Sequence, residues 1–566
     1  MDNDEKIIGL LEQIYGPVRG REAFDRIRPL VRAFPVRPRQ KSGFFSNGDA
    51  VLITYGDTLN QPGEAPLKTL GRFARANLKN AFSAIHILPF FPYSSDDGFS
   101  VIDFHTVNPD LGRWPDINDL SRDFELMFDL VLNHISSQSD WFQRYLNREP
   151  GFERLAIEVD PDLDLSLVTR PRTTPLLTPY TRTDGETVHV WTTFSADQID
   201  LNYTSLSVLE KMIEVLLFYV RQGAALIRLD AIAYLWKETD TTCIHCVQTH
   251  EMVKLFRAIL DEVAPEVMII TETNVPHQEN ISYFGNGVDE AQMVYNFTLP
   301  PLLVYTFVRQ DATVFSRWAR GLALSSPATT FFNFTASHDG IGVRPLEGIL
   351  PAADIAFLAD HVRKNGGAVS CKRNPDGSET PYELNITYVD ALSGKDDGDD
   401  VRAARFLASQ AVQLVLPGVP GVYIHSLLGS RNWNEGVAQT GRARTINRRP
   451  LQYAAVSQEI ETPGSLRHTI FYAYLHLLAV RRRQPAFHPG AAFDVMDVSP
   501  QCVVIRRTTA EQTILAVTGV CGKALSLDLS GPGRSCTTDL LTGQSIDPGD
   551  IRLAPFQTLW LTNHAF

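Results

Sequence analysis

Eight short runs of β-forming, nearly uninterrupted apolar residues recur along the chain, and most are followed by a stretch with helical spacing. They fall at 51–55, 84–88, 126–132, 224–229, 267–271, 293–297, 330–334 and 419–424. A strand that is apolar on both faces has no solvent side, so it belongs in a parallel sheet covered by helices. Eight such units predict an α/β fold closed as a TIM (β/α)8 barrel rather than an open sheet.

Two long polar stretches interrupt the rhythm. Residues 135–205, rich in Thr, Pro and Asp, predict an inserted domain after strand 3. Residues 340–405, with Gly-containing pieces such as Arg373-Asn-Pro-Asp-Gly377, predict an enlarged loop region after strand 7. Residues 1–50 read as helical, with apolar spacing at Ile7, Leu11 and Ile14. From about residue 490 short alternating strands predict a C-terminal antiparallel β domain. The expected division is 1–134 for the helical segment and first part of the barrel, then 135–205 for the insertion. The rest of the barrel follows at 206–489, and the β domain at 490–566.

The net charge of −13 argues against nucleic acid or an anionic membrane as a general partner. No apolar run reaches the roughly 20 residues of a membrane span. The acidic start Met1-Asp-Asn-Asp-Glu-Lys6 lacks an apolar signal core, and six cysteines are too sparse for a disulfide framework. A cytoplasmic protein acting on small molecules is the expectation. Cys243-Ile-His-Cys246 with His250 has half of a zinc pattern, but no second half follows, so no metal is expected.

Three acids close three of the predicted strands: Asp230 after Leu226-Ile-Arg-Leu, Glu272 after Met268-Ile-Ile-Thr, and Asp339 after Phe334-Thr-Ala-Ser-His. The carboxyl ends of barrel strands are where chemistry is assembled. Arg228 and Asp230 stand at spacing two and so on one face of a strand, where the guanidinium would hold the carboxylate ionised and oriented. A fixed, ionised aspartate suits a nucleophile at a sugar carbon, although the pair also suits a structural role at a strand end. Burial would raise the pKa of Glu272 toward that of a general acid; a salt-bridged or capping glutamate fits the same residues. His338 with Asp339, and Asn133 with His134, add polar pairs at the same barrel face, able to grip sugar hydroxyls.

These segments resemble the four signature regions of the α-amylase superfamily of glycoside hydrolases. Asp129-Leu-Val-Leu-Asn-His134 resembles the first, Ile227-Arg-Leu-Asp-Ala231 the second, Ile269-Ile-Thr-Glu272 the third and Phe334-Thr-Ala-Ser-His-Asp339 the fourth. The resemblance implies Asp230 as nucleophile, Glu272 as acid/base and Asp339 as transition-state stabiliser. Leu88-Pro-Phe-Phe-Pro-Tyr-Ser-Ser-Asp-Asp-Gly-Phe99 and Thr440-Gly-Arg-Ala-Arg-Thr-Ile-Asn-Arg448 are similar to the sucrose phosphorylase branch. That implies Asp96 and Arg444 closing a glucose subsite, Phe99 packing on the sugar, Tyr234 near phosphate or acceptor, and Gln198 on the acceptor side. Asn274 stands where that branch is expected to carry a histidine. This departure, the longer chain, and segments such as Thr169-Arg-Pro-Arg-Thr-Thr-Pro-Leu-Leu-Thr178 are similar to glucosylglycerate phosphorylases. The implied activity is reversible, retaining phosphorolysis of 2-O-α-glucosylglycerate to α-glucose 1-phosphate and D-glycerate. The alternatives are sucrose, glucosylglycerol or sucrose 6′-phosphate phosphorolysis, or an α-glucosidase or transglucosidase on the same fold. Many amylases hold calcium near Asn133, but the resembled phosphorylases are not metal-dependent; no cofactor is implied beyond phosphate as substrate, and a homodimer is. Arg170, Arg172, Lys237 and Arg344 are further candidates to bind phosphate or a glycerate carboxylate, being cations in segments expected near the mouth.

Overall fold

The computed structural model describes residues 3–37, 43–373 and 378–564. Eight strands form a closed barrel: β1 Val51–Thr54, β2 Ala84–Ile87, β3 Glu125–Leu130, β4 Ala224–Leu229, β5 Met268–Thr271, β6 Met293–Tyr295, β7 Thr330–Phe334 and β8 Val419–Tyr423. Neighbours follow chain order around the ring, β8 closes on β1, and every pairing is parallel. Six of the eight strands are buried at every position, which is why they read as continuous apolar runs. The helix Leu206–Arg221 shows how a covering helix is specified. Leu209, Met212, Ile213, Leu216 and Val220 form one buried stripe, and the helix stops before Gly223, whose φ of 97° suits a residue without a Cβ.

Helices Asn3–Tyr15 and Pro17–Arg32 cross the outside of the barrel and are pinned by Arg28, 2.7 Å from Asp4 and 2.6 Å from Glu262. The helical reading of the N-terminal segment thus ends at Arg32 rather than near residue 50; 33–37 and 43–50 are turns and extended chain.

The first insertion has two antiparallel pairs and a short helix, Asp140–Leu146. Its base strands register His134 with Asp200 and Ser136 with Gln198, so Gln198 returns to the barrel mouth. The enlarged loop region after β7 carries a folded layer of its own. Strands Ile341–Gly342, Ala368–Arg373 and Glu379–Asn385 form an antiparallel sheet, packed by the helix Ala352–Lys364. Residues 374–377 of the Arg373–Gly377 segment lie outside the described residues.

The C-terminal domain is a five-stranded antiparallel sheet with a two-stranded pair beside it. Its alternation serves two cores. Val503 and Ile505 join the main core, while Cys502 and Val504 join a separate cluster with Leu515 and Val517. Among the described residues no helix is long and apolar enough to cross a membrane.

Candidate active site

A column of charge runs up the barrel interior. Asp129 on β3 and Arg228 on β4 are register partners. Asp129 accepts from Arg228 Nη1 and stands 2.6 Å from His86 Nε2. Burial alone would raise the Asp129 carboxyl, but His86 and Arg228 hold it below its ordinary value. The same Arg228 Nη1 donates to Asp230 Oδ1 at 2.7 Å, and Nη2 lies 3.8 Å from Glu272 Oε2. Asp230 and Glu272 therefore flank one guanidinium. Immediately after Asp230 the chain turns through Ala231 in a left-handed conformation, φ 50°, and the Ala231 N–H donates to Glu272 Oε2 at 3.0 Å.

Burial, followed by the opposing pull of Arg228 and the push of neighbouring acids, leaves both Asp230 and Glu272 raised to about 7. The guanidinium that orients Asp230 is shared with Asp129, so desolvation outweighs its pull on the Asp230 carboxyl. A single proton on the pair sits on Glu272. Asp230 has the short charged bond to Arg228, while Glu272 has one backbone donor and a guanidinium only at 3.8 Å.

Asp339 behaves differently. Burial would raise it, but Arg444 at 2.6 Å, with Arg448 behind it, holds it well below the usual carboxylate range. Arg444 also donates to both oxygens of Glu383, at 3.1 and 2.8 Å, so it pairs with Asp339 and Glu383; its link to the expected partner Asp96 is electrostatic, without a direct bond. Asp96 accepts instead from Gln198 Nε2 at 3.3 Å. Gln198, expected on the acceptor side, is thus placed with Asp96 and with His134, whose Nε2 is 3.1 Å away. Phe99 lines the cavity, but one face of its ring is stacked on His338 at 4.6 Å. Burial pushes the His338 imidazole well down, so it is neutral, and among the described residues its buried Nδ1 has no hydrogen-bond partner.

Asp96, Asp97 and Gly98 make a strained turn that presses on the late loop. Asp96 and Asp97 have φ of 52° and 49°, and a Cβ on Gly98 would come within 2.7 Å of Pro89 O. Asp97 bonds to Arg442 at 2.6 Å and to Arg448, which in turn donates to His338 O at 2.7 Å. On the far side, Asn274 is packed so closely on Gly342 that a Cβ there would meet its side chain at 2.5 Å.

The three acids, Asp96, Phe99, His134, Gln198, Arg228, Tyr234, Asn274, His338 and Arg444 all line one cavity of ≈ 80 Å³. Arg172, Tyr382 and Glu383 line it too. Arg172 and Tyr382 also form the wall of a second chamber of ≈ 600 Å³, which Arg170, Arg344 and Lys372 line as well. No Asp or Glu is among the described residues lining that chamber.

Lys237 is not at either wall. Its ammonium is buried 2.5 Å from Asp200 and donates to Asn133 Oδ1 at 2.7 Å, so it neutralises an acid and cannot meet a substrate anion. Glu383, Tyr382, Lys372 and Arg448 have no counterpart in the sequence reading. Arg448 ended a quoted motif without a role, and the other three lie in or beside the stretch read as loop. Cys243 Sγ packs 3.2 Å from Glu238 O, and among the described residues no cluster of three His, Cys, Asp or Glu suits a metal.

Residues 79–320 match the α-amylase catalytic-domain family. The chain is 48% identical to a glucosylglycerate phosphorylase of Spirochaeta thermophila over 99% of both chains. It is 44% identical to a glucosylglycerate phosphorylase of Escherichia coli, over 98% of this chain and 100% of that one. Its fold is similar to the crystal structure of sucrose 6F-phosphate phosphorylase from Thermoanaerobacter thermosaccharolyticum, with a TM-score of 0.75, 23% identity, and coverage of 91% of this chain and 100% of that one. The chain belongs to the glucosylglycerate phosphorylase family, within the sucrose phosphorylase-like branch of the α-amylase superfamily.

Proposed function

We propose that this protein is a retaining glycoside phosphorylase that reversibly converts 2-O-α-D-glucosyl-D-glycerate and phosphate to α-D-glucose 1-phosphate and D-glycerate. The observation that carries the reading is the shared wall at Arg172 and Tyr382, which lines both the cavity holding three acids and a chamber lined by cations. A hydrolase needs no such wall, because water is neutral. Phosphate and the glycerate carboxylate are both anions that guanidinium forks hold in two-point contacts.

In the forward direction the Asp230 carboxylate attacks the anomeric carbon while Glu272 delivers its proton to the departing glycerate oxygen. The bond to the aglycone breaks and a β-glucosyl ester of Asp230 forms. Phosphate then enters the emptied position. Its hydroxyl proton passes to Glu272, its oxygen bonds to the anomeric carbon, and Asp230 leaves as carboxylate, so two inversions restore the α configuration. Arg228 steadies Asp230 in its charged form at the start and end of the cycle. Asp339, kept ionised by Arg444, offers a fixed negative charge to the oxocarbenium-like transition state. The phenol of Tyr234, which burial keeps protonated, can donate to the incoming or departing anion. The mechanism needs no metal; beside Asn133 and Asp200 the cation is the ammonium of Lys237. A cytoplasmic setting is supported by six cysteines that are all free thiols.

The test is phosphate release from α-glucose 1-phosphate with D-glycerate, fructose or no acceptor. Release should depend on D-glycerate; strong release with fructose and none with D-glycerate would sink the reading.

A further inference from the structure

The cation-lined chamber, at ≈ 600 Å³, is far roomier than the ≈ 80 Å³ cavity that holds the acids. Its cations are also incompletely paired. Lys372 has Glu347 at 2.9 Å, and Arg170 donates to Thr174 O in its own loop. Among the described residues the acid nearest Arg344 is Glu279 at 3.9 Å, and its Nε is buried without a hydrogen-bond partner. Arg172 lies against the ring of Tyr382, 5.9 Å from its centre, and among the described residues it has no carboxylate partner. One carboxylate at the inner guanidinium, Arg172, leaves Arg344, Lys372 and Arg170 facing open volume. Cations that outnumber the acids beside them suit an anion, and planar guanidinium forks suit a phosphoryl group.

We propose that the chamber admits acceptors with a second anionic group, namely phosphorylated hydroxy acids whose free hydroxyl takes the glucosyl residue. The inference rests on the phosphorylase reading above and extends its acceptor class. The carboxylate takes the inner position by Arg172, and the phosphoryl group the outer one by Arg344 and Lys372. The chemistry adds no reagent. Asp230 displaces phosphate from α-glucose 1-phosphate, with Glu272 protonating the departing oxygen. The acceptor hydroxyl then bonds to the anomeric carbon, its proton passes to Glu272, and the bond to Asp230 breaks. Nothing is oxidised or reduced.

D-Glycerate and D-glycerate 3-phosphate, offered separately with α-glucose 1-phosphate and followed by mass spectrometry of the products, test this. The expected result is glucosyl transfer to both, with KM for the phosphorylated acid no higher than for D-glycerate. Lys372→Ala should raise KM for the phosphorylated acid at least tenfold and change that for D-glycerate much less. Transfer to D-glycerate alone overturns the inference and leaves the function intact. Transfer to neither overturns the function and the inference with it. Equal losses for both acceptors in Lys372→Ala overturn the placement of the second anion.

Discussion

The two sides of the scissile bond are built on opposite electrostatic plans. On the glucose side most charges are already paired. Arg444 joins Asp339 to Glu383, Asp97 joins Arg442 to Arg448, and Arg228 joins Asp129 to Asp230. The space left is ≈ 80 Å³. On the acceptor side the cations outnumber their partners and the space is ≈ 600 Å³. A neutral sugar ring is read by dipoles fixed in advance, so the glucose side can be complete before substrate arrives. An anion supplies its own countercharge, so the acceptor side is complete only when phosphate or glycerate is present. The same difference suits the chemistry: the glucosyl unit stays through both steps, while two different anions exchange in one place.

The largest expected effect comes from the atom both sides share. Asp230→Ala removes the carboxylate that carries the glucosyl unit, and phosphorolysis should fall by about 10⁴-fold or more; a variant with wild-type turnover shows that another group is the nucleophile. Next comes the junction. Arg172→Ala should raise KM for phosphate by about 30-fold or more, as loss of a desolvated charge contact does, with a much smaller change in kcat; an unchanged KM removes Arg172 from the anion site.

A pH profile distinguishes the acids from the cations. The active form carries one proton on the Asp230–Glu272 pair, both members being raised to about 7 by burial. As pH falls below that range Asp230 is protonated and cannot attack; as pH rises above it Glu272 loses the proton it must donate. The expected kcat/KM profile is a bell with its maximum near neutrality and limbs falling about tenfold per unit. A flat profile between pH 5 and 9 contradicts the assignment. The smallest effect belongs to the latch on the glucose side. Asp97→Asn weakens the grip on Arg442 and Arg448 and should lower kcat/KM by about three- to tenfold for every acceptor alike. A change confined to one acceptor would mean that the latch acts on the other side.

What the sequence made legible follows the same division. The eight strands could be read because parallel strands buried on both faces are apolar throughout, and the acids at their ends stood out against that background. The glucose-side residues Asp96, His338 and Arg444 sit in motifs. The acceptor wall is set by long-range pairing, which sequence spacing does not contain. Glu383 reaches the site because Gly342 pairs with it across an insertion, and Tyr382 arrives with it. Lys237 reads as an available cation, but Asp200, returned by the inserted lobe, stands beside it. The Arg228–Asp230 pair is legible two positions apart, but the sharing of that guanidinium with Asp129 on the neighbouring strand is not.

The central claim is that charge, not shape, selects the acceptor. Glycerol is D-glycerate with a neutral CH₂OH in place of the carboxylate, so the ratio of their kcat/KM values as glucosyl acceptors measures that selection directly. The account predicts a preference for D-glycerate of about 100-fold or more, in line with one desolvated charge contact, collapsing toward unity in Arg172→Ala. Equal use of glycerol and D-glycerate by the wild-type enzyme, or a preference that survives the loss of Arg172 and Arg344 together, would contradict it.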